Sequence, residues 1–225
     1  MIYICALFCE FMGEELFEQL AFEPVALFEK IIDDLMVRQY SVVPNFLSQT
    51  ETTALRNELL FEFEQDQFQK AAIGNKFNEQ VNSEVRGDFI LWLDRKAQLP
   101  AATSFLARID ELIVYLNRTC FLGILQREFH YAVYPKGSFY KRHLDAFQND
   151  DRRKLSIIVY LNESDWKETD GGELVIYPKI DTTEKQLKLN PWPGQLVIFE
   201  SKCLEHEVFP ANRQRLSLTG WLKTR

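Results

Sequence analysis

The residues that could do chemistry are concentrated at positions 140–145, which read Tyr-Lys-Arg-His-Leu-Asp, and in a second histidine far downstream, His206. In a β-strand, side chains two residues apart share a face, so this spacing predicts that His143 and Asp145 present an imidazole and a carboxylate side by side. One histidine from a later strand then completes three ligands. Two histidines and a carboxylate on one side of a metal, with other positions open, form the ligand set of non-haem Fe(II) oxygenases. The chain has three histidines, and this arrangement uses two. A His-x-Asp with a distant His also arises by chance on the polar face of a surface strand, and on three residues alone that simpler reading holds.

The residues after His206 change the balance. The segment Pro-Ala-Asn-Arg at 210–213 lies between two alternating apolar runs, which predicts a hairpin with a four-residue loop. In that register Phe209 pairs with Gln214, Val208 with Arg215, and His206 with Ser217. Arg215, Ser217 and Thr219 then share the face of His206. Strand spacings put Arg215 about 8 Å from His206, close to the span of a five-carbon dicarboxylate with one end on a metal and the other on a guanidinium.

With these residues in view, the chain resembles the Fe(II)/2-oxoglutarate-dependent oxygenases, in their prolyl 4-hydroxylase branch. His143, Asp145 and His206 match that family's metal triad, and Arg215, nine positions after His206, matches its co-substrate arginine, followed by Ser217 in an Arg-x-Ser pattern. Tyr134-Pro135, Tyr-Leu-Asn at 160–162, Asp-Gly-Gly-Glu-Leu at 170–174 and Pro-Gly-Gln-Leu-Val-Ile-Phe at 193–199 resemble its other landmarks. Val-Arg-Gly-Asp at 85–88 with Trp92 resembles a substrate-side segment of the oxygen-sensing prolyl hydroxylases. The similarity runs from about Tyr40 to Trp221. His-Leu-Asp-Ala-Phe is nearest to bacterial members, whose relatives modify elongation factor Tu.

The resemblance implies an α+β fold, a double-stranded β-helix (jelly-roll) core buttressed by N-terminal helices. It implies Fe(II) on His143, Asp145 and His206, and 2-oxoglutarate as co-substrate with its C5 carboxylate on Arg215. Tyr160, Tyr134, Ser217 and Thr219 are the further residues expected around that co-substrate. Dioxygen is consumed, succinate and CO2 are released, and L-ascorbate serves as reductant. Arg86, Asp88 and Trp92 are expected to grip a peptide under a lid formed by residues 69–85. The expected substrate is a prolyl residue in a cytoplasmic protein, with a translation factor such as elongation factor Tu as the first candidate. Readings from other classes are a zinc-dependent hydrolase with the same ligands, which lacks a placed general base, and a jelly-roll module without catalysis. Within the family, a small-molecule, lysyl or nucleobase substrate is the alternative.

The elements that must position these residues follow from periodicity. Val25, Phe28, Ile32, Leu35 and Met36 predict a helix after Pro24, in an N-terminal helical extension over 1–39, with the dioxygenase domain over 40–225. A short strand is predicted at 40–43. A second helix opens after Ser48 or Thr50 with Leu55, Leu59, Leu60 and Phe63, and a third from about Thr103 with Leu106, Ile109, Leu112, Ile113 and Leu116. Strands are predicted at 128–134, 139–145, 155–161, 173–177, 195–199, 205–209 and 214–222, with turns marked by glycine and proline. Many short strands of similar spacing point to a double-sheet jelly roll. His130 reads as a packed, hydrogen-bonded histidine and Trp221 as core. Arg152 and Arg153 read as surface charge able to steer an acidic partner.

Composition sets the limits. The chain has 225 residues, 46% of them hydrophobic, which suits one globular domain or one with an extension. A formal net charge of −7 disfavours a phosphate backbone as partner, so no nucleic acid is expected. Cys5, Cys9, Cys120 and Cys203 form no Cys-x-x-Cys pair, so neither a zinc knuckle nor a disulfide framework is expected, and a reducing cytoplasm is the expected home. The apolar start at 1–9 is too short to cross a bilayer and lacks basic flanks, so no membrane association is expected. It reads as a buried turn or as residues before a true start at Met12. The chain stops at Arg225, so selectivity is expected to rest with the lid rather than with a trailing helix. A monomer is expected.

Overall fold

The computed structural model describes residues 23–72, 82, 84–93, 99–146, 152–180 and 183–224. The expectations for residues 1–22, including Met1, Met12, Cys5 and Cys9, and for the middle of the proposed lid lie outside the described residues. Three helices, α1 (Ala26–Arg38), α2 (Gln49–Glu64) and α3 (Pro100–Cys120), are interleaved with and followed by strands. The strands are β1 (Tyr40–Val43), β2 (Gln69–Lys70), β3 (Phe89–Trp92), β4 (Gln126–Tyr134), β5 (Tyr140–His143), β6 (Arg153–Tyr160) and β7 (Leu174–Ile176). Then come β8 (Lys179–Ile180), β9 (Thr183–Glu184), β10 (Leu187–Leu189), β11 (Leu196–Glu200), β12 (His206–Val208) and β13 (Arg215–Lys223).

A seven-stranded antiparallel sheet in the order β1-β11-β6-β13-β4-β3-β2 faces a four-stranded one in the order β10-β7-β12-β5. This is the expected mixed fold with a jelly-roll core and helices on one side. Period-two alternation decides what each layer holds. Phe129, Tyr131 and Val133 of β4, Leu155, Ile157 and Val159 of β6, and Leu216, Leu218 and Leu222 of β13 pack under the helices with Phe28, Ile31, Leu55, Leu59, Ile109 and Leu112. The alternate residues, among them Ala132, Tyr134, Ile158 and Tyr160, face the interior between the sheets with Leu174, Ile176, Leu204 and Val208. Helix α1 therefore belongs to the same core as the sheet, although its sequence reads as part of an extension.

Local rules account for most helix ends. Ser48, not Thr50, caps α2: its hydroxyl accepts from Glu51 N at 3.2 Å and the Glu51 carboxylate accepts from Ser48 N at 2.7 Å. Helix α3 starts three residues before the expected Thr103 because its cap is tertiary. The Glu58 carboxylate of α2 accepts from Ala101 N at 2.9 Å and Ala102 N at 3.0 Å, supplying negative charge to the helix N-terminus. Met36, expected on the buried stripe, is 81% exposed, since the helical turn from buried Leu35 carries it outward. Strand β3, read in sequence as a substrate-side segment, pairs with β4. Strands β2, β8, β9 and β10 are two or three residues long, too short for period-two alternation to mark them in the sequence.

The predicted hairpin between the last two strands does not form. Strand β12 pairs with β5 and β7 in the smaller sheet, whereas β13 pairs with β4 and β6 in the larger one. The Pro-Ala-Asn-Arg segment instead crosses between sheets. Ala211 bridges Gly171 and accepts from Gly137 N at 2.8 Å, and Asn212 N donates to Asp170 O at 2.7 Å. Backbone partners outside the two strands outweigh the local turn signal, so Arg215 faces His206 across the sandwich instead of lying beside it.

Candidate active site

His143, Asp145 and His206 come together with their ligand atoms all within 4.8 Å of one another. His143 ends β5 and is opposite His206 at the start of β12, with ring centroids 4.2 Å apart. Asp145 lies just beyond β5 rather than in it, so strand alternation is not what aims its carboxylate. Arg153 Nη1 donates to the Asp145 backbone carbonyl at 3.1 Å, and Ala146 N donates to Ser201 O at 3.2 Å, which fold the chain back. The Asp145 carboxylate then sits 3.5 Å from Nε2 of each histidine. Ser156 Oγ donates to Asp145 Oδ2 at 2.7 Å and contacts Ser201 Oγ at 2.8 Å.

Each imidazole is set in one tautomer. His143 Nδ1–H donates to Lys141 O at 2.7 Å and His206 Nδ1–H donates to Leu204 O at 3.2 Å, leaving both Nε2 lone pairs facing the centre. The His143 ring stacks on Tyr140 at 3.6 Å, and Phe199 meets His206 edge-on at 4.7 Å. Burial, followed by the neighbouring His143, lowers the His206 pKa to about 4, so it is neutral and able to ligate at neutral pH. Burial acts to raise Asp145, but His206, His143 and the Ser156 hydrogen bond outweigh it and hold the carboxyl well below the usual range.

The triad lines a cavity of about 330 Å³ that also contains Arg215, Ser217 and Thr219 of β13, Tyr134 of β4, and Ile158, Leu174 and Val208. Arg215 is 1% exposed, its guanidinium 5.0 Å from the rings of both Tyr134 and Tyr160. Its Nε donates to Gly172 O at 2.8 Å, while Nη2 has no partner, and neither has the Tyr160 hydroxyl. Burial pushes the Tyr160 phenol up to about 12, with Arg215 acting against the rise. Gly171 and Gly172 adopt φ of +70° and +73°; at Gly172 a Cβ would fall 2.9 Å from Arg215 Cδ, so glycine lets the backbone carbonyl reach the guanidinium. Asn162 ties the preceding strand to this one, accepting from Leu216 N at 2.7 Å through Oδ1.

On the outer side, Arg86 and Trp92 line the same cavity, with Gln69 and Lys70 from the start of the proposed lid. Asp88 does not line it. It is 2% exposed and holds Arg86 in a two-point pair, Nε to Oδ1 at 2.8 Å and Nη2 to Oδ2 at 2.6 Å, with the Arg86 guanidinium 4.3 Å over the Tyr140 ring. Arg153 reaches over the Trp221 ring at 3.6 Å and lines the cavity, so it is not simply surface charge. His130 and Trp221 also line it. His130 is packed as expected, but its Nδ1 has no hydrogen-bond partner.

The family model of the 2OG-Fe(II) oxygenase superfamily matches residues 129–223. A solved prolyl-4-hydroxylase of Pseudomonas putida is 38% identical, covers 88% of this chain and 99% of its own, and superposes with a TM-score of 0.78. The chain belongs to the 2OG-Fe(II) oxygenase superfamily. A prolyl hydroxylase structure from Trichoplax adhaerens, in complex with a hypoxia inducible factor peptide fragment, is 28% identical with a TM-score of 0.77, covering 88% of this chain and 89% of that one. The hypoxia-inducible factor prolyl hydroxylase of Caenorhabditis elegans is 30% identical over 86% of this chain and 28% of its own length. The chain spans less than half the length of the curated relatives it matches.

The name of that superfamily carries two groups, Fe(II) and 2-oxoglutarate. The residues fit these groups. Two imidazoles with Nε2 toward the centre and a carboxylate suit a divalent iron, and the unpaired Arg215 Nη2 and Tyr160 hydroxyl suit a carboxylate, because an unsatisfied buried polar group costs about 1–3 kcal/mol. Sequence reasoning did not assign Ser156, Arg153 or the Gly172 carbonyl a role in the site. Ser156 carried a signal as a polar residue on the alternating face that also bears Ile158 and Tyr160, and Gly172 lies in the Asp-Gly-Gly-Glu-Leu run at 170–174.

One pH effect arises from His130. Burial, then Arg86 and Arg153, lower its pKa to about 3, while Asp88 and Asp145 act in the opposite direction. As pH falls below the ordinary histidine value the unfolded chain takes up a proton that the folded chain refuses, so this contribution to stability is present above about pH 6.5 and is lost on acidification toward 3. The metal-free protein is therefore expected to lose roughly 2–3 kcal/mol through His130 between pH 6.5 and 4.5, and His130→Phe to show a correspondingly shallower fall. Urea midpoints across that range check this; parallel curves would refute it.

Proposed function

We propose that this protein hydroxylates a prolyl residue of a protein substrate, with 2-oxoglutarate and O2 consumed and succinate and CO2 released. The observation that carries the reading is one cavity lined both by the His143, Asp145 and His206 triad and by Arg215, whose guanidinium keeps Nη2 without a partner. The kinship with prolyl hydroxylases, one of them holding a peptide, supports the substrate class. Bound iron would supply activation of O2 coupled to decarboxylation of the keto acid and transfer of one oxygen atom into a C–H bond.

The chain's own residues bind and orient. His143, Asp145 and His206 would hold the iron, with backbone carbonyls and Ser156 fixing the ligands. Arg215 would take the C5 carboxylate of 2-oxoglutarate as a charge-assisted pair, with Tyr160 donating a further hydrogen bond. Tyr134, Ser217 and Thr219 would border the same co-substrate, and Ile158, Leu174 and Val208 keep that region apolar and dry. Arg86, steadied by Asp88, and Trp92 line the same cavity and would contact the peptide. A cytoplasmic monomer acting on a translation factor such as elongation factor Tu is the specific form of this reading. Among the described residues no helix is long and apolar enough to cross a membrane.

The test is incubation of cell extract with enzyme, Fe(II), 2-oxoglutarate and ascorbate, followed by mass spectrometry of intact proteins and peptides. Succinate release that requires iron and a gain of one oxygen on a proline are expected. Oxidation confined to small metabolites, lysine or nucleobases would reject the prolyl assignment, and iron-independent turnover would reject the oxygenase chemistry.

A further inference from the structure

Tyr140 and His143 are three residues apart, so unbroken alternation would turn their rings to opposite faces of β5. They stack instead, with centroids 3.6 Å apart and planes 18° from parallel. The cause is a one-residue bulge. Against β12, His143 pairs with His206 and Tyr140 with Val208, so three steps on β5 match two on β12 and both rings turn to one face.

The other face of the Tyr140 ring is also taken. The guanidinium carbon of Arg86 lies 4.3 Å over that ring. One ring face has room for one group at such distances, so guanidinium and imidazole take opposite faces. Arg86 is itself held from behind: Nε and Nη2 donate to the Asp88 carboxylate at 2.8 and 2.6 Å, and Nη1 donates to Ala72 O at 3.3 Å. The backbone fixes the same contact. Arg86 bridges Tyr140, with Gly87 N donating to Phe139 O at 3.0 Å and Lys141 N donating to Val85 O at 2.9 Å. Residues 85–87 thereby extend the smaller sheet at its β5 edge, whereas β3, directly after them, pairs with β4 in the larger sheet.

Among the three metal-binding side chains, His143 is the one that needs such support. It is 18% exposed, against 9% for Asp145 and 5% for His206. Its Nδ1–H bond to Lys141 O leaves the ring free to tilt about that bond, and a stack on one face removes the freedom. We propose that Arg86 is a positioning residue for the metal ligand His143, acting through the Tyr140 ring. The proposal rests on the reading of the triad as iron ligands and not on the prolyl assignment. The guanidinium presses on the far face of Tyr140 as a desolvated cation–π contact, and the near face keeps the imidazole aimed. Asp88, buried behind Arg86, holds the clamp in place whether or not a peptide is present.

The test titrates Fe(II), and Co(II) as a spectroscopic stand-in, into the metal-free full chain with neither peptide nor 2-oxoglutarate present. Arg86→Gln should raise the Kd for both metals about tenfold and shift the ligand-field absorption of bound Co(II). Tyr140→Leu should do the same, and the double variant should bind no more weakly than Tyr140→Leu alone. Tyr140→Phe keeps a flat ring and should stay within about twofold of the unmodified protein. Arg86→Lys keeps a cation beside the ring but gives up the two-point pair with Asp88, so a rise of about threefold is expected; this variant decides the matter should Arg86→Gln not fold. Unchanged metal affinity and Co(II) absorption in the Arg86 variants, or penalties that multiply in the double variant, would overturn the proposal. His143→Ala separates the two readings. If it weakens metal binding while the Arg86 variants do not, the positioning role alone fails; if it leaves metal binding intact, the triad reading fails and the proposal with it.

Discussion

Replacing His206 by alanine is expected to abolish succinate formation from 2-oxoglutarate and to weaken Fe(II) binding by more than about a hundredfold, with His143→Ala giving the same result. The loss should be large because each imidazole would contribute one of three protein donors, with Nε2 already aimed by the Nδ1 hydrogen bonds to Leu204 O and Lys141 O. His206 is 4% exposed and meets Phe199 edge-on, so its removal also leaves a small void beside the remaining pair. Metal titration and an iron-dependent succinate assay check the effect, with circular dichroism to confirm that the sheets persist. Full turnover by either folded variant at ordinary iron concentration would contradict the assigned ligand set.

Arg215→Lys is expected to raise the KM for 2-oxoglutarate by roughly 10- to 100-fold while iron binding persists, because lysine keeps the charge but loses the planar fork. It also gives up the Nε hydrogen bond to Gly172 O that holds the guanidinium between Tyr134 and Tyr160. Gly172→Ala should act in the same direction with the charge untouched, since its Cβ would lie 2.9 Å from Arg215 Cδ and 3.0 Å from Ala211 Cβ at a φ of +73°. Measured KM values for 2-oxoglutarate, alongside metal affinity, distinguish the two sites. An unchanged KM in Arg215→Lys would mean that the co-substrate carboxylate is bound elsewhere in the cavity.

The hairpin shows how local and tertiary information divide at this site. Alternation along 214–222 correctly groups Arg215, Ser217 and Thr219 on one face, because side-chain direction within a strand is a local property. The partner strand is not local. The turn signal at 210–213 predicts pairing with β12, yet Ala211 and Asn212 bond to the segments around Gly137 and Asp170, and the chain passes to the other sheet. Arg215 and His206 still line one cavity, because the two strands belong to facing sheets about 10 Å apart rather than to one hairpin. The same division explains α3, whose first turn is capped by Glu58 from another helix.

By itself, the sequence determined which side chains could bind metal and anion, that strands dominate the second half, and where the amphipathic helices lie. Those properties depend on residue type and on periods of two and 3.6, which neighbouring positions fully express. Only the tertiary structure decided that Asp145 reaches the histidines from beyond its strand, that Ser156 and the Gly172 carbonyl hold the carboxylate and the guanidinium, and that Asp88 turns to Arg86 rather than into the cavity. It alone set His130 beside Trp92 and Trp221 with a ring nitrogen unpaired. Each depends on which strands become neighbours, a choice made by burial across the whole core that no single stretch of chain encodes.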